Sequence, residues 1–184
     1  ARTTESQTHR EMVSGLCLPV GFKNGTDGSL SIACDAMRSA AHAHQHFGLD
    51  DDGRPALIET RGNADTHLVL RGGHGGANYQ PAAIAAAKRT LASQGLAAKL
   101  IVDCSHANSG KDPLRQPEVL SCVIDQRLAG EQSLRGVMLE SHLFDGCQPL
   151  SEQLQYGVSI TDGCLGWSKT EQALLRAAER LAVG

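Results

Sequence analysis

Short apolar runs, each ended by a polar residue, alternate along this chain with longer stretches whose apolar positions recur at helical spacing. PVGFK, HLVLR, KLIVDCS and RGVMLE are four such runs, rich in β-branched and aliphatic residues, and they predict buried strands. The stretches after them predict helices. Residues 29–43 set Ile32, Ala33, Ala36, Met37 and Ala40 on one helical face, and residues 81–94 are alanine-rich, with Pro81 in the first turn and Gly95 as a stop. Residues 113–129, stopped at Gly130, and residues 169–182 predict two more helices. At the start, residues 2–11 are polar and can open a helix capped by Thr3 or Thr4. Residues 12–18 then bring the chain back to its first full strand.

One segment breaks the rhythm. Residues 44–47 and 56–60 predict extended pieces around an Asp-Gly turn at Asp52 and Gly53, a hairpin inserted between two strand–helix units. Glycine-containing loops follow two of the strands, residues 24–28 and 72–78, and a long loop runs through Gly146 to Asp162. Four repeated strand–helix units predict a parallel sheet with right-handed crossovers. No low-complexity linker and no second domain interrupt residues 1–184, so the chain reads as a single domain. A closed eight-stranded barrel takes ~250 residues, and four units make half of one. The chain opens Ala-Arg-Thr-Thr rather than with Met, so its first residues read as cut at or near a strand end.

The net charge of −3 with histidine neutral gives no reason to expect nucleic acid or an anionic membrane as partner. No apolar run approaches the ~20 residues that span a bilayer, and no signal-peptide pattern opens the chain. The six cysteines are scattered without CxxC spacing, which predicts reduced, mainly structural thiols in a cytoplasmic protein.

Sites in parallel α/β sheets are built at the carboxyl ends of strands, and here those ends carry Lys23, Arg71, His106 and Glu140. His106 and Glu140 would end adjacent strands, with Asp162 in a loop able to fold over the same rim. Together they offer a donor set for a borderline divalent metal such as Mn, Fe, Co or Zn. The plain alternative is a polar rim with one hydrogen-bonded histidine. Arg2, Lys23 and Arg71 place cations at strand ends and suit a phosphate or carboxylate. A cation cluster around Lys23 makes it the first candidate for proton traffic. His42, His44 and His46 alternate but have no carboxylate or cysteine at ligand spacing, so an exposed, structural role is expected. Cys104, two residues from His106 and on the same predicted face, is expected to be a buried thiol rather than half of a nucleophile pair. Trp167 and Tyr156 are expected to pack near the closing loop.

The strings ARTTESQTHRE, PVGFKNGTDG, LRGG, DCSHANSGK, GVMLESHL and SITDGCLGW, in this order and spacing, resemble the class I, microbial aromatic-pathway 3-deoxy-D-arabino-heptulosonate-7-phosphate (DAHP) synthases over nearly the whole chain. The resemblance implies the carboxyl-terminal half of a (β/α)8 TIM barrel, strands five to eight with their helices and the hairpin insertion. It implies condensation of phosphoenolpyruvate with erythrose 4-phosphate, opening the shikimate pathway, in a complete enzyme expected to be a homo-oligomer. By matching position, Arg2, Lys23 and Arg71 are phosphoenolpyruvate-binding cations, and Ala1 contributes its backbone to the same phosphate. His106, Glu140 and Asp162 are three of four metal ligands, and His9 is a histidine near the active site. The family's fourth ligand, a cysteine, has no counterpart here, nor has its Lys-Pro-Arg-Thr-Thr sugar-phosphate segment. The chain alone is therefore expected to be inactive. A related synthase acting on arabinose 5-phosphate, or a half-barrel without turnover, stays open as an alternative.

Overall fold

The computed structural model describes residues 2–3 and 6–183. In chain order the elements are β1 (Arg2–Thr3), α1 (Gln7–Ser14), β2 (Val20–Lys23), α2 (Ser31–Ala40), β3 (Gln45–Leu49), β4 (Pro55–Glu59), β5 (Thr66–Leu70) and α3 (Pro81–Ser93). They continue with β6 (Leu100–Asp103), a short 3-10 turn, α4 (Gln116–Leu128), β7 (Leu134–Met138), β8 (Ser141–His142), β9 (Leu165–Gly166) and α5 (Trp167–Val183). Five strands form one parallel sheet in the order β1-β2-β5-β6-β7. The order never reverses, so the sheet has no topological switch point. The α/β class with a parallel sheet is as the sequence predicts.

The two faces of the sheet differ because side chains alternate along a strand. Val20, Phe22, Leu68, Leu70, Leu100, Val102 and Cys104 point into the core shared with Ala33, Met37, Ile84, Leu91, Val119 and Val123 of the helices. Full burial of a Leu or Phe of this kind stabilises by about 1.5–3 kcal/mol. The opposite face carries the alternate residues, Gly21, His67, Val69, Ile101 and Gly136. Gly21 is needed here, since a Cβ on it would lie 2.6 Å from both His67 Nε2 and Val69 Cγ2. Continued one step further, the same alternation delivers Lys23, Arg71, Asp103 and Glu140 to this second face at its carboxyl rim.

Several local expectations are corrected. The first helix starts at Gln7, capped by Ser6, whose side chain accepts from the His9 N–H; Thr3 instead belongs to β1. Residues 113–129 split into a 3-10 turn, Pro113–Arg115, and α4, because the Asp112 side chain caps the tighter turn through Leu114 N. Leu165–Gly166 forms a strand that its two residues could not announce, paired in parallel with β8. Trp167 and Tyr156 are not packing residues, being 54% and 84% exposed. The hairpin forms as predicted, β3 pairing antiparallel with β4 around Gly53, whose φ of +77° suits glycine. No helix among the described residues is long and apolar enough to cross a membrane.

Candidate functional site

Moving across the rim, β2 ends in Lys23, β5 leads to Arg71, β6 to Asp103 and His106, and β7 to Glu140. Asp162 is brought to the same place by β9. There Leu165 N donates to Glu140 O at 2.9 Å, and Gly146 and Cys164 exchange backbone hydrogen bonds of 2.8 and 3.0 Å. The result is one group: ligand atoms of His106, Glu140 and Asp162 all lie within 4.8 Å of one another, and His106 Nε2 is 3.8 Å from Asp162 Oδ2. His42, His44 and His46 form no such group among the described residues; His44 Nε2 instead lies 2.8 Å from Ser39 O.

His106 reaches this position by leaving the strand pattern. Its φ is +53°, a left-handed conformation uncommon outside glycine, and β6 has already ended at Asp103. Cys104 and His106 therefore do not share a face. Cys104 is wholly buried in the helix-side core, and burial, with the Asp103 charge second, pushes its thiol up to about 12. It is a structural thiol, as expected, and no nucleophile.

Asp103 is the residue that reading the sequence missed. It is 1% exposed, and its Oδ1 accepts from Ser105 N at 3.0 Å and Ser105 Oγ at 2.6 Å. Its Oδ2 faces His106 Nδ1 at 2.9 Å and accepts a short charged hydrogen bond from Lys23 Nζ. Burial raises this carboxyl, but the hydrogen bonds from His106, Lys23 and Ser105 outweigh it and hold the group well below the usual carboxylate range. The neighbour of Lys23 is thus a buried anion, where the sequence suggested a cluster of cations. Since Ser105 Oγ–H is given to Asp103, the His106 Nδ1 beside Ser105 Oγ, 2.7 Å away, carries the ring hydrogen. That tautomer leaves the Nε2 lone pair facing Glu140 and Asp162, so the donor set fits a divalent cation.

Arg71 is fixed through its backbone. Arg71 N donates to Asn24 Oδ1 at 2.8 Å, and Asn24 Nδ2 donates to Gly72 O at 2.9 Å. Asn78 and Asn108 extend the network. Gly72 N donates to Asn78 Oδ1 at 2.7 Å, Asn78 N to Asn108 Oδ1 at 2.8 Å, and Asn108 Nδ2 to Leu70 O at 3.0 Å and Asp103 O at 2.8 Å. Three asparagines thereby tie together the ends of β2, β5 and β6. Arg71 Nε is buried and has no hydrogen-bond partner among the described residues, which leaves a donor that an anion in the neighbouring cleft could meet. Two clefts open on this rim. One of about 340 Å³ is lined by His106, Asp162 and Cys147, the other of about 410 Å³ by Arg71, Thr26 and His74, and Lys111 lines both.

Glu140 has its own support. Gln116 of α4 is fully buried and brackets its backbone, Nε2 donating to Glu140 O at 3.0 Å and Oε1 accepting from Glu140 N at 2.8 Å. Replacing Gln116 by Ala leaves a buried N–H unpaired and is expected to cost about 2 kcal/mol. Denaturant unfolding would measure it; a midpoint equal to that of the parent would show that Gln116 does not hold Glu140.

Of the other expected site residues, Ala1 and the side chain of Arg2 lie outside the described residues, while the Arg2 backbone pairs with Gly21 at the edge of the sheet. His9 lies exposed on α1, its Nδ1 2.5 Å from Ser6 Oγ, and lines neither cleft.

Comparison with known proteins settles the kinship. The model of the DAHP synthetase I family matches residues 1–175. The chain belongs to that family. It is 52% identical over 180 residues to the Tyr-sensitive phospho-2-dehydro-3-deoxyheptonate aldolase of Escherichia coli, covering 96% of this chain and 50% of that protein. It is 48% identical to the phenylalanine-inhibited enzyme of that name from Saccharomyces cerevisiae, covering 97% and 51%. The solved structure of the Francisella tularensis phospho-2-dehydro-3-deoxyheptonate aldolase superposes with a TM-score of 0.91 at 36% identity, covering 99% of this chain and 55% of that one. The chain thus spans about half the length of these family members.

Proposed function

We propose that this chain supplies the metal-binding and phosphoenolpyruvate-binding rim of a DAHP synthase, which condenses phosphoenolpyruvate with erythrose 4-phosphate and releases phosphate. The observation that carries the reading is the convergence of His106, Glu140 and Asp162 within 4.8 Å on the rim that also bears Lys23 and Arg71. In the same proposal the sheet is the carboxyl-terminal half of a (β/α)8 barrel forming one domain. The unreversed strand order and the grouping of site residues at strand carboxyl ends support it.

His106, Glu140 and Asp162 would hold the cation, which supplies Lewis acidity toward an aldehyde oxygen. Arg71, with Arg2 and the Ala1 backbone, holds the phosphate of phosphoenolpyruvate, and Lys23 its carboxylate or bridging oxygen. Held so, the C2=C3 electron pair of phosphoenolpyruvate forms the bond from carbon 3 to the aldehyde carbon, whose oxygen takes a proton; water adds at carbon 2 and gives up a proton, and the bond from carbon 2 to the phosphate oxygen breaks to release phosphate. Lys23, an ammonium held by Asp103, is assigned proton donation to an oxygen of the bound ligands, and His9 a supporting place at the edge of the site. A cytoplasmic setting belongs to this proposal and is supported by six free cysteines. So does self-association of the complete enzyme, supported by the apolar hairpin face on which Phe47 is 90% exposed.

The test is a synthase assay with phosphoenolpyruvate, erythrose 4-phosphate and Mn²⁺, run on this chain alone and mixed with a separately expressed amino-terminal half of the E. coli relative. Product in the mixture is the expected result. Absence of product in both, with both halves folded and associated, would overturn the proposal, and preference for arabinose 5-phosphate would change its substrate.

A further inference from the structure

Asp103 Oδ2 is shared. It receives Lys23 Nζ from β2 and faces His106 Nδ1 at 2.9 Å, while Oδ1 is occupied by Ser105 N and Ser105 Oγ. β5 lies between β2 and β6, so the lysine arm spans a whole strand to reach this oxygen. The carboxylate is 1% exposed, so no water competes for it, and its two partners draw on the same charge. Resting on the function proposed above, we infer that Asp103 is a positioning residue that couples cation binding at His106 to anion binding at Lys23.

The sign follows from elementary electrostatics. A cation on His106 Nε2 makes the Nδ1–H a stronger donor, and that hydrogen bond takes more of the charge on Oδ2. The hold on Lys23 weakens accordingly. Its ammonium is then freer to turn toward the carboxylate or phosphate of an incoming ligand. Each ligand therefore strengthens binding of the other, and by the same factor, because coupling between two binding equilibria is reciprocal.

The test is binding, measured on the chain mixed with the amino-terminal half of the E. coli relative, by calorimetry for phosphoenolpyruvate and by the free Mn²⁺ resonance signal for the metal. In the parent protein Mn²⁺ is expected to tighten phosphoenolpyruvate binding by about 5–10-fold, with phosphoenolpyruvate tightening Mn²⁺ equally. In Asp103→Asn the coupling falls below about 2-fold, and Mn²⁺ affinity alone drops about 10-fold. Lys23→Met guards against a variant that merely misfolds. It weakens phosphoenolpyruvate but, by removing the competitor for Oδ2, tightens Mn²⁺ about 2–5-fold. In the Asp103→Asn background the Lys23 change leaves Mn²⁺ affinity unmoved. Full coupling in Asp103→Asn, or Lys23→Met weakening both ligands, overturns the inference. A parent protein that binds both ligands without coupling also overturns it and leaves the proposed function intact. One that binds neither overturns the proposed function first.

Discussion

If the proposed function holds, His106→Ala in this chain mixed with the amino-terminal half of the E. coli relative is expected to lower synthase turnover by on the order of 10²–10³-fold and to remove high-affinity Mn²⁺ binding. The imidazole is the one nitrogen donor in a group otherwise made of carboxylates, and of the three candidate ligands its orientation is the most fully determined. Asp103 and Ser105 hold Nδ1, and Ser109 Oγ donates to His106 O at 3.4 Å. Lys111 N donates to the same carbonyl at 2.7 Å. Removing the ring leaves Glu140 and Asp162, of which Asp162 is 64% exposed and free to hydrate. The loss should appear in kcat and in metal affinity together, with phosphoenolpyruvate affinity less affected. Equal Mn²⁺ affinity in parent and variant would mean that His106 is only a hydrogen-bonded rim histidine, the plainer reading of the sequence.

Asn24→Ala is expected to cost about 3 kcal/mol of stability, which lowers the melting temperature of a chain of this size by about 6–12 °C. Asn24 is 3% exposed. It donates to Gly25 O at 2.7 Å and Gly72 O at 2.9 Å, and accepts from Arg71 N at 2.8 Å and Asn78 Nδ2 at 3.2 Å. Alanine removes all four bonds, and although Gly25 O keeps the Gly28 N–H at 2.9 Å, the chain here has little room to rearrange around the others. A Cβ on Gly73 would lie 2.3 Å from Gly28 N, so the loops after β2 and β5 already touch backbone to backbone. Because Arg71 N is one of the orphaned donors, phosphoenolpyruvate affinity should also fall if the proposed function holds. Thermal unfolding and calorimetry read the two effects; a variant that melts with the parent would show that the asparagine network is dispensable.

Much of the rim could be read from the chain. Lys23, Arg71 and Glu140 each end a run of apolar residues, and a run of four or five such residues has one plausible use in a repeated strand–helix pattern. His106 was found by the same signal but its reason was not, since the left-handed turn that swings it away from Cys104 depends on contacts from Lys111 and Ser109. Asp103 stayed hidden because a single acid inside a strand looks like a polar interruption, and the partner that defines it, Lys23, is 80 positions away. Asn24, Asn78 and Asn108 stayed hidden for a related reason: asparagine is common in loops, and only their mutual bonds set these apart. The exposure of Trp167 and Tyr156 went the other way, as large aromatic residues are more often buried than composition alone can justify here.

The sequence by itself determined the parallel α/β class, the hairpin insertion, the order of Lys23, Arg71, His106 and Glu140 around the rim, and the family. These depend on periodicity, on turn residues and on strings of neighbouring residues, all of which are local. Tertiary structure alone decided that a cation from β2 and a histidine after β6 meet on one carboxylate oxygen. It also decided that Gln116 of α4 brackets Glu140 and that Asp162 closes on His106. Those arrangements arise from the packing of segments remote in sequence, where burial leaves each polar group to be satisfied by whatever the fold brings near it.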